Sequence, residues 1–165
     1  MRLLLVCASG LGAGGKYLDE RVAKAEPNVV HLGVLPQAAV ALGFQSSHVF
    51  VLPSLFEGLP LGMMEAATCS CPCFVSGLPT IQSWVPDRWV EDGHFSLIPL
   101  PQTTQADRPV ESDVGRFTDD IEKRLSKQLS SVPLPDERRQ LAALLRDHSW
   151  SAVFDRYQET YRRLL

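Results

Sequence analysis

Two carboxylates, Glu57 and Glu65, stand eight positions apart in a stretch whose pattern predicts strand, loop and helix. The apolar run at residues 49–52 favours a strand that stops at Pro53. The run LGMMEAATC then favours a helix that ends before Pro72. Glu57 therefore falls in the loop and Glu65 in the helix. We expect both to face one crevice at the carboxyl end of a parallel sheet.

Carboxylates at such a place accept strong hydrogen bonds from hydroxyl groups, so the pair suits a polyol such as a ribose or a hexose. The start of the predicted helix offers free N–H groups and a positive dipole end that can take a phosphate. Since Pro60 has no N–H, Leu61 and Gly62 are the expected donors. The same residues also fit a solvated surface turn, because a loop acid beside a helix start is common.

A glycine-rich loop at residues 8–15 is a second candidate for phosphate binding. Gly10, Gly12 and Gly15 fit G-x-G-x-x-G between a predicted strand and a predicted helix, which is typical of dinucleotide sites. The following strand lacks the terminal acid that would bind a ribose, which argues against a nicotinamide or flavin cofactor. A plain turn after a strand fits the same loop.

Three of the four cysteines alternate, at Cys69, Cys71 and Cys73. Metal sites usually use C-x-x-C pairs or histidine partners, and neither is present around these positions. We therefore predict small, buried, reduced thiols, Cys7 included, and no metal site.

The elements that must position these residues alternate between strands and helices. Strands are predicted at residues 3–7, 29–32, 49–52, 73–76 and 95–100. Helices are predicted at residues 16–25, 36–43, 61–68, 117–129, 136–147 and 150–165, the last with Ser149 as its N-cap. Loops are predicted at residues 77–87 and 101–114. Trp84 and Trp89 are expected to cap an end of the sheet rather than to stack on a sugar. This order predicts a Rossmann-like α/β domain with a parallel sheet, flanking helices and right-handed crossovers.

Length and charge narrow the class of protein. The 165 residues suit one domain, 1–165, with a C-terminal helical segment at 148–165. A net charge of −3 without any Lys/Arg run argues against nucleic acid as a partner. No apolar run approaches the roughly 18 residues of a transmembrane segment. The start, MRLLLVCASG, is interpreted as a first strand rather than a signal peptide, and we expect a cytoplasmic protein.

The run VFVLPSLFEGLPLGMMEAATCSCPCFVS resembles the signature region of family 4 glycosyltransferases, which have the GT-B fold. That region shows a strand, then Pro-Ser, then a Glu with seven residues before a second Glu. The matching residues are Pro53, Ser54, Glu57, Gly58, Glu65, Ala66 and Pro72. NVVHLGVLP and the C-terminal HSWSAVFDRYQETYRRLL are similar to further segments of the family's C-terminal, nucleotide-sugar-binding half. Ser70 stands where the family often has Gly.

The resemblance implies roles for individual residues. Glu57 would hold hydroxyls of the donor sugar and is the catalytic candidate, and Glu65 would bind the ribose hydroxyls. The other donor-binding positions that it implies are main-chain groups at Gly58, Leu61 and Gly62 beside sugar and diphosphate, Gly33, Val34 and Leu35 at the nucleobase, and Gly10 at the border of the cleft.

Two features of the family have no counterpart in these residues: the acceptor-binding domain and an Arg/Lys pair that neutralises the donor diphosphate. Our first hypothesis is retaining hexosyl transfer from a nucleotide-diphosphate sugar, such as a UDP- or GDP-sugar, without metal or cofactor. This chain would supply the donor-binding half, and the other half would come from another chain or be lost by truncation. The alternatives are a non-catalytic nucleotide-sugar-binding module or degenerate fragment, and a dinucleotide-binding oxidoreductase. A half without its partner is also expected to self-associate.

Overall fold

Alternating strands and helices build two compact units, Met1–Gly43 and Phe44–Leu165. The computed structural model describes residues 3–5, 20–25, 28–105, 108–131, 143 and 145–164. Each unit contains a sheet whose strands pair in parallel, and helices follow these strands. The fold is therefore the Rossmann-type α/β arrangement that the sequence predicts.

In the first unit, β1 (Leu3–Leu5) pairs in parallel with β2 (Val29–His31). Residues 20–25 form helix α1, and α2 (Gln37–Ser46) follows β2. The predicted strands are confirmed, although β2 ends one residue before Leu32. The predicted loop at residues 8–15, the remainder of the first strand and the start of the first helix lie outside the described residues.

The second unit contains a three-stranded parallel sheet in the order β3 (Phe50–Leu52), β4 (Cys73–Ser76), β5 (Phe95–Ile98). Its central strand β4 is buried along its whole length, as expected of a strand covered on both faces. Helix α3 (Leu61–Thr68) connects β3 to β4. The bounds of α3 and β4 are those predicted, whereas β3 begins at Phe50 and β5 ends at Ile98.

The core of this unit is formed by one face of α3 packed on the sheet. Met63, Ala66 and Ala67 are fully buried and belong to one cluster with Val75 and Phe95. Burying an apolar side chain of the size of Met or Phe contributes roughly 1.5–3 kcal/mol. This packing fixes which face of α3 remains available to solvent.

The structure contradicts the loop predicted at residues 77–87, because two short helices begin in this segment. These are α4 (Pro79–Trp84) and α5 (Asp87–Glu91). Pro79 is the first residue of α4 and Pro86 is the N-cap of α5. Proline is tolerated at both positions, so here it begins helices rather than ending them.

The two tryptophans of this region pack against the sheet, which confirms their predicted role. The rings of Trp84 and Trp89 meet edge to face at 5.5 Å, and Trp89 stacks on Phe95, the first residue of β5, at 5.7 Å. His148 lies 5.2 Å from Trp84. Leu145 belongs to the same core, so the chain before the last helix is anchored here.

The structure also contradicts the loop predicted at residues 101–114. Strands β6 (Thr103–Gln105) and β7 (Arg108–Pro109) pair antiparallel within this segment. Helix α6 (Glu111–Leu129) then begins at Glu111 rather than at Phe117. The first turn of α6 carries Glu111 and Asp113, which favour a helix N-terminus by complementing its dipole.

Two further helices differ from their predicted bounds. Helix α2 continues through Gly43 to Ser46, and the edge contact of Phe44 with Phe50, at 5.5 Å, stabilises the extra turn. Where a helix over 136–147 was expected, residues 136–142 lie outside the described part, and Arg146–His148 form a single 3₁₀ turn.

The C-terminal helix runs over Trp150–Leu164. The Oγ of Ser149 accepts a hydrogen bond from the N–H of Ala152 at 3.3 Å, so the predicted N-cap is confirmed. None of the helices in the described ranges combines the length and the apolar character needed to cross a membrane.

Candidate functional site

The loop at residues 53–60 leaves the carboxyl end of β3, where parallel α/β sheets commonly bind ligands. Glu57 is half-buried in this loop, and the next residue, Gly58, is exposed. The carbonyl oxygen of Glu57 accepts a hydrogen bond from Thr80 Oγ1 at 3.3 Å. Because Thr80 lies in α4, this bond fastens the loop to the helix that follows the neighbouring strand. Sequence reasoning missed Thr80, since its segment was predicted as a loop.

The N-terminus of α3 has main-chain donors that its own side chains leave uncapped. Pro60 is the N-cap residue, and its carbonyl oxygen accepts hydrogen bonds from the N–H groups of Met63 and Met64 at 3.1 and 3.4 Å. Within this fully described helix, no side chain caps the N-terminus and the first turn contains no acid. The N–H groups of Leu61 and Gly62 therefore remain as the predicted donors for an anion.

The small residues at this helix start keep the main chain accessible. A Cβ added to Gly58 would meet nothing within 4 Å, and one added to Gly62 would lie 3.6 Å from Phe50 Cζ, an ordinary contact. Packing therefore does not demand glycine at either position. The two glycines leave space beside the loop, into which a ligand could fit.

Glu65 lies on the solvent side of α3. Residues four apart share a helix face, so Glu65 is aligned with Leu61 before it and Cys69 after it. Leu61 is exposed and Glu65 and Cys69 are half-buried, whereas Met63, Ala66 and Ala67 form the buried face. At 1.5 Å per residue, Glu65 stands about 6 Å along the axis from Leu61. The carboxylate and the first-turn N–H groups therefore belong to one side of one helix.

The C-terminus of α3 is fixed by a Schellman motif. The N–H of Ser70 bonds to the carbonyl of Ala67 at 2.9 Å, and the N–H of Cys71 bonds to that of Ala66 at 2.9 Å. Ser70 adopts a φ of +59° to close this motif. This is the left-handed region that glycine occupies most readily. The structure thus explains why Gly would suit the position that Ser70 occupies.

The cysteines after α3 differ in their surroundings. Cys71 and Cys73 are buried, as predicted, and the Cys73 Sγ lies 3.4 Å from the carbonyl oxygen of Cys71. Burial, and then the neighbouring Cys71, raise the pKa of the Cys73 thiol well above its usual value. Cys69 is only half-buried, which corrects its predicted burial; there, burial first and the Glu65 carboxylate second raise the thiol pKa. Cys7 lies outside the described residues.

Metal ligands do not gather in the part of the chain that the structure describes. Across residues 3–5, 20–25, 28–105, 108–131, 143 and 145–164, no three His, Cys, Asp or Glu side chains are arranged to hold a metal ion. The carboxylates and main-chain groups described above are the candidate ligand-binding groups.

The residues expected at a nucleobase belong to the first unit, directly after β2. Gly33 has a φ of +67°, which favours glycine strongly over any other residue. Val34 is exposed and Leu35 is half-buried. Gly10, the remaining predicted position, lies outside the described residues.

The comparison with protein families agrees with this architecture. Residues 2–106 match the model of a family described as Glycosyl transferases group 1, and that match includes every candidate site residue named above. The chain therefore belongs to the group 1 glycosyl transferases.

A known protein matches over a shorter stretch. The chain is 53% identical over 34 residues to a UDP-Gal:alpha-D-GlcNAc-diphosphoundecaprenol alpha-1,3-galactosyltransferase of Escherichia coli. The match covers 21% of this chain and 9% of that protein. The chain thus spans only a small part of this relative's length.

Proposed function

We propose that this chain is the donor-binding half of a retaining hexosyltransferase that uses a nucleotide-diphosphate sugar. Membership of the group 1 glycosyl transferases supports glycosyl transfer in general. The observation that carries the proposal is the start of α3, where main-chain donors without a side-chain cap lie between Glu57 and Glu65. One short segment thus combines an anion site with two acceptors for hydroxyl groups.

The family resemblance supplies the role that we propose for each of these groups. The N–H groups of Leu61 and Gly62, with the positive end of the helix dipole, bind the diphosphate. Glu65 accepts hydrogen bonds from the ribose hydroxyls on one side of the diphosphate. Glu57, held in the loop through its carbonyl bond to Thr80, accepts hydrogen bonds from the hydroxyls of the transferred sugar.

The remaining donor-binding positions complete the proposal. The exposed main chain at Gly58 lies beside the sugar, Gly33 to Leu35 contact the base, and Gly10 borders the cleft. In the transfer step the nucleoside diphosphate departs with its negative charge, and the α3 N-terminus stabilises that charge. A separate acceptor-binding part completes the active site.

A non-catalytic sugar-nucleotide-binding module is the second candidate, and one observation favours it. Between Lys24 and Arg88 the sequence contains no Lys or Arg. The departing diphosphate would therefore meet main-chain dipoles but no side-chain cation from the loop and helix that form this site. Charge stabilisation of this kind usually contributes more to catalysis than any other single effect. Binding without turnover is the outcome that would support this candidate.

Calorimetric titration tests the proposal directly. UDP, GDP, UDP-galactose, UDP-glucose, GDP-mannose and NAD are titrated into the chain and into Glu65→Ala. UDP-galactose is included because the E. coli relative is named for that donor. We expect saturable binding of a nucleotide or its sugar that Glu65→Ala weakens. Glu122→Ala, an exposed acid on α6, is the matched control and should bind like the parent.

The other outcomes separate the hypotheses. Absence of binding by all six compounds would remove the donor-binding proposal. Binding of NAD alone would favour the oxidoreductase hypothesis. Binding of a sugar nucleotide without release of sugar to water or acceptor would favour the non-catalytic module.

A further inference from the structure

The loop that carries Glu57 has few attachments to the rest of the second unit. Of its residues 54–59, all of which the structure describes, three are exposed and three are half-buried. None of the six belongs to the buried cluster that joins α3 to the sheet. Their one hydrogen bond to another element runs from Thr80 Oγ1 to the carbonyl oxygen of Glu57, at 3.3 Å. This bond, the tether, is therefore the polar restraint on the position of Glu57.

Thr80 is part of a helix that is firmly packed. Its neighbour Ile81 is fully buried, and Leu78 and Val85, before and after it, are buried as well. All three belong to the same buried cluster as Met63 of α3. Because α4 and α3 share one core, close packing fixes the position of Thr80 relative to α3.

Hydrogen bonds also hold the chain that leads into α4. The N–H of Gly77 donates to the carbonyl oxygen of Ile98, the last residue of β5, at 2.8 Å. The carbonyl oxygen of Gly77 accepts a hydrogen bond from Gln82 Nε2 at 2.7 Å. The hydroxyl of Thr80 is thus carried by a segment that is bonded both to the sheet and within itself.

The tether uses the main chain of Glu57 and leaves its side chain available. No residue that the structure describes donates a hydrogen bond to the Glu57 carboxylate or forms an ion pair with it. Gly58, which follows directly, has no Cβ and would otherwise allow the main chain beside Glu57 to rotate widely. A hydrogen bond at the carbonyl between these two residues restricts that rotation.

We propose that Thr80 is a positioning residue, which holds Glu57 where its carboxylate meets the hydroxyls of the transferred sugar. The inference rests on the proposed function, because it requires that Glu57 binds this sugar. A carboxylate that is held in place before the ligand arrives loses less conformational freedom on binding than one on a free loop. The tether thus adds to the affinity for the sugar nucleotide without any contact between Thr80 and the ligand.

Three variants isolate the contribution of the tether. Thr80→Val removes the hydroxyl and keeps the branched shape, whereas Thr80→Ser keeps the hydroxyl and should preserve the tether. Ser83→Ala is the matched control, because Ser83 lies on the same helix and also donates its hydroxyl to a main-chain carbonyl. Its acceptor is the carbonyl oxygen of Thr80, at 2.9 Å and within α4, so the loss of this bond leaves the tether intact.

Titration calorimetry measures the effect on binding, with UDP and its galactose and glucose derivatives, or with GDP and GDP-mannose if the parent binds those. The net contribution of one such hydrogen bond corresponds to roughly a three- to tenfold change in an equilibrium constant. Thr80→Val should therefore raise the dissociation constant of the sugar nucleotide by this factor and leave that of the nucleoside diphosphate unchanged. A general loosening of the fold would weaken both ligands. Thr80→Ser and Ser83→Ala should bind like the parent.

A double-mutant cycle tests whether Thr80 acts through Glu57. In the Glu57→Ala background the carboxylate is absent, so Thr80→Val should cause no further loss of affinity for the sugar nucleotide. The same loss in both backgrounds would show that Thr80 affects the ligand by another route, and it would overturn the positioning role.

Limited proteolysis measures the tether without any ligand. A glutamate-specific protease cleaves the peptide bond between Glu57 and Gly58, whose carbonyl is the one that Thr80 holds. Cleavage requires local opening, so its rate follows the population of the open loop when opening and closing are fast. Thr80→Val should increase the rate at this bond about three- to tenfold, with cleavage after Glu122 as the internal reference. Thr80→Ser and Ser83→Ala should match the parent.

The outcomes separate this inference from the function on which it rests. Equal cleavage of Thr80→Val and the parent would show that the tether does not hold the loop, and it would overturn the inference. Faster cleavage with unchanged binding of the sugar nucleotide would overturn the positioning role and leave the donor site standing. A parent chain that binds none of the nucleotides would remove the proposed function, and the role of Thr80 with it, even where the cleavage rates differ.

Discussion

Ser70 donates its N–H to the carbonyl of Ala67 at 2.9 Å while its own φ is +59°. The hydrogen bond closes the C-terminus of α3, and the positive φ is the conformation that this closure requires. For a residue with a Cβ the left-handed conformation costs about 1–2 kcal/mol. The cap of the helix that carries Glu65 is therefore formed at a conformational cost.

Ser70→Gly should stabilise the chain by about 1 kcal/mol. Glycine removes the left-handed penalty, although its greater freedom in the unfolded chain offsets part of the gain. Urea unfolding at constant protein concentration measures the change. Ser70→Ala is the matched control and should give no gain, because alanine keeps the Cβ. Equal stability of the Gly variant and the parent would contradict the strain argument.

Glu57→Ala and Glu65→Ala should affect different ligands. If Glu65 contacts the ribose, its loss weakens UDP and UDP-sugar alike, whereas loss of Glu57 weakens the UDP-sugar only. Hydrogen bonds to charged groups contribute about 1.5–3 kcal/mol, so each affected dissociation constant should rise roughly 10- to 100-fold. Titration calorimetry with both ligands measures this. Weakening of UDP by Glu57→Ala would show that the two roles are wrongly assigned.

The Cys69 thiol should react slowly at neutral pH and faster when Glu65 is neutralised. Burial first, and the Glu65 carboxylate second, raise the pKa of this thiol above its usual value, so less of the reactive thiolate exists at neutral pH. Glu65→Gln removes the second cause, lowers the pKa and should increase the rate of alkylation. The rate should rise with pH in both proteins.

Peptide mass spectrometry after timed alkylation identifies the labelled thiol. Cys69 should react before Cys71 and Cys73, since these two are buried. Thr68→Val is the control, because it changes the adjacent exposed side chain without altering charge. It should leave the pH dependence of Cys69 alkylation unchanged. An unchanged profile in Glu65→Gln would show that the carboxylate does not act on the thiol.

Substitution by alanine should change the stability of the chain in opposite directions at Gly77 and Gly43. A Cβ at Gly77 would lie 3.1 Å from Gln82 Nε2 and 3.2 Å from the carbonyl oxygen of Ile98. That carbonyl already accepts the N–H of Gly77 at 2.8 Å and has little room to move. Gly77→Ala should therefore cost about 1–3 kcal/mol by overpacking.

Gly43 provides the contrast because it lies inside α2 and a Cβ there would meet nothing within 4 Å. Gly43→Ala should stabilise by about 0.5–1 kcal/mol through helix propensity. Thermal unfolding of both variants measures the two changes. The same sign for both would show that local space does not control the outcome.

The sequence predicts the bounds of an element best where independent signals agree. The apolar run of β4 and the proline-bounded pattern of α3 predict the observed bounds, because periodicity and chain breaks agree there. The placement of Glu57 in a loop and Glu65 on a helix follows from the same signals. The solvent side of α3 is visible only in the structure, since burial of Met63, Ala66 and Ala67 decides it.

Prediction from the sequence failed where a residue type is compatible with two different local structures. Pro79 and Pro86 lie in a segment that the sequence predicts as a loop, yet both stand at the starts of helices. Gly43 was interpreted as a helix end, yet the contact of Phe44 with Phe50 extends α2 beyond it. The acids at the start of α6, Glu111 and Asp113, are a signal that could have corrected a boundary in advance.

The three tryptophans divide into two optical classes. Trp84 and Trp89 lie within the aromatic cluster on Phe95, whereas Trp150 is exposed. Emission from the first two therefore reports on the integrity of the second unit. Emission and collisional quenching of Trp150 report on whatever covers the C-terminal helix. Fluorescence of the unlabelled chain can thus follow folding and association as separate signals in one sample.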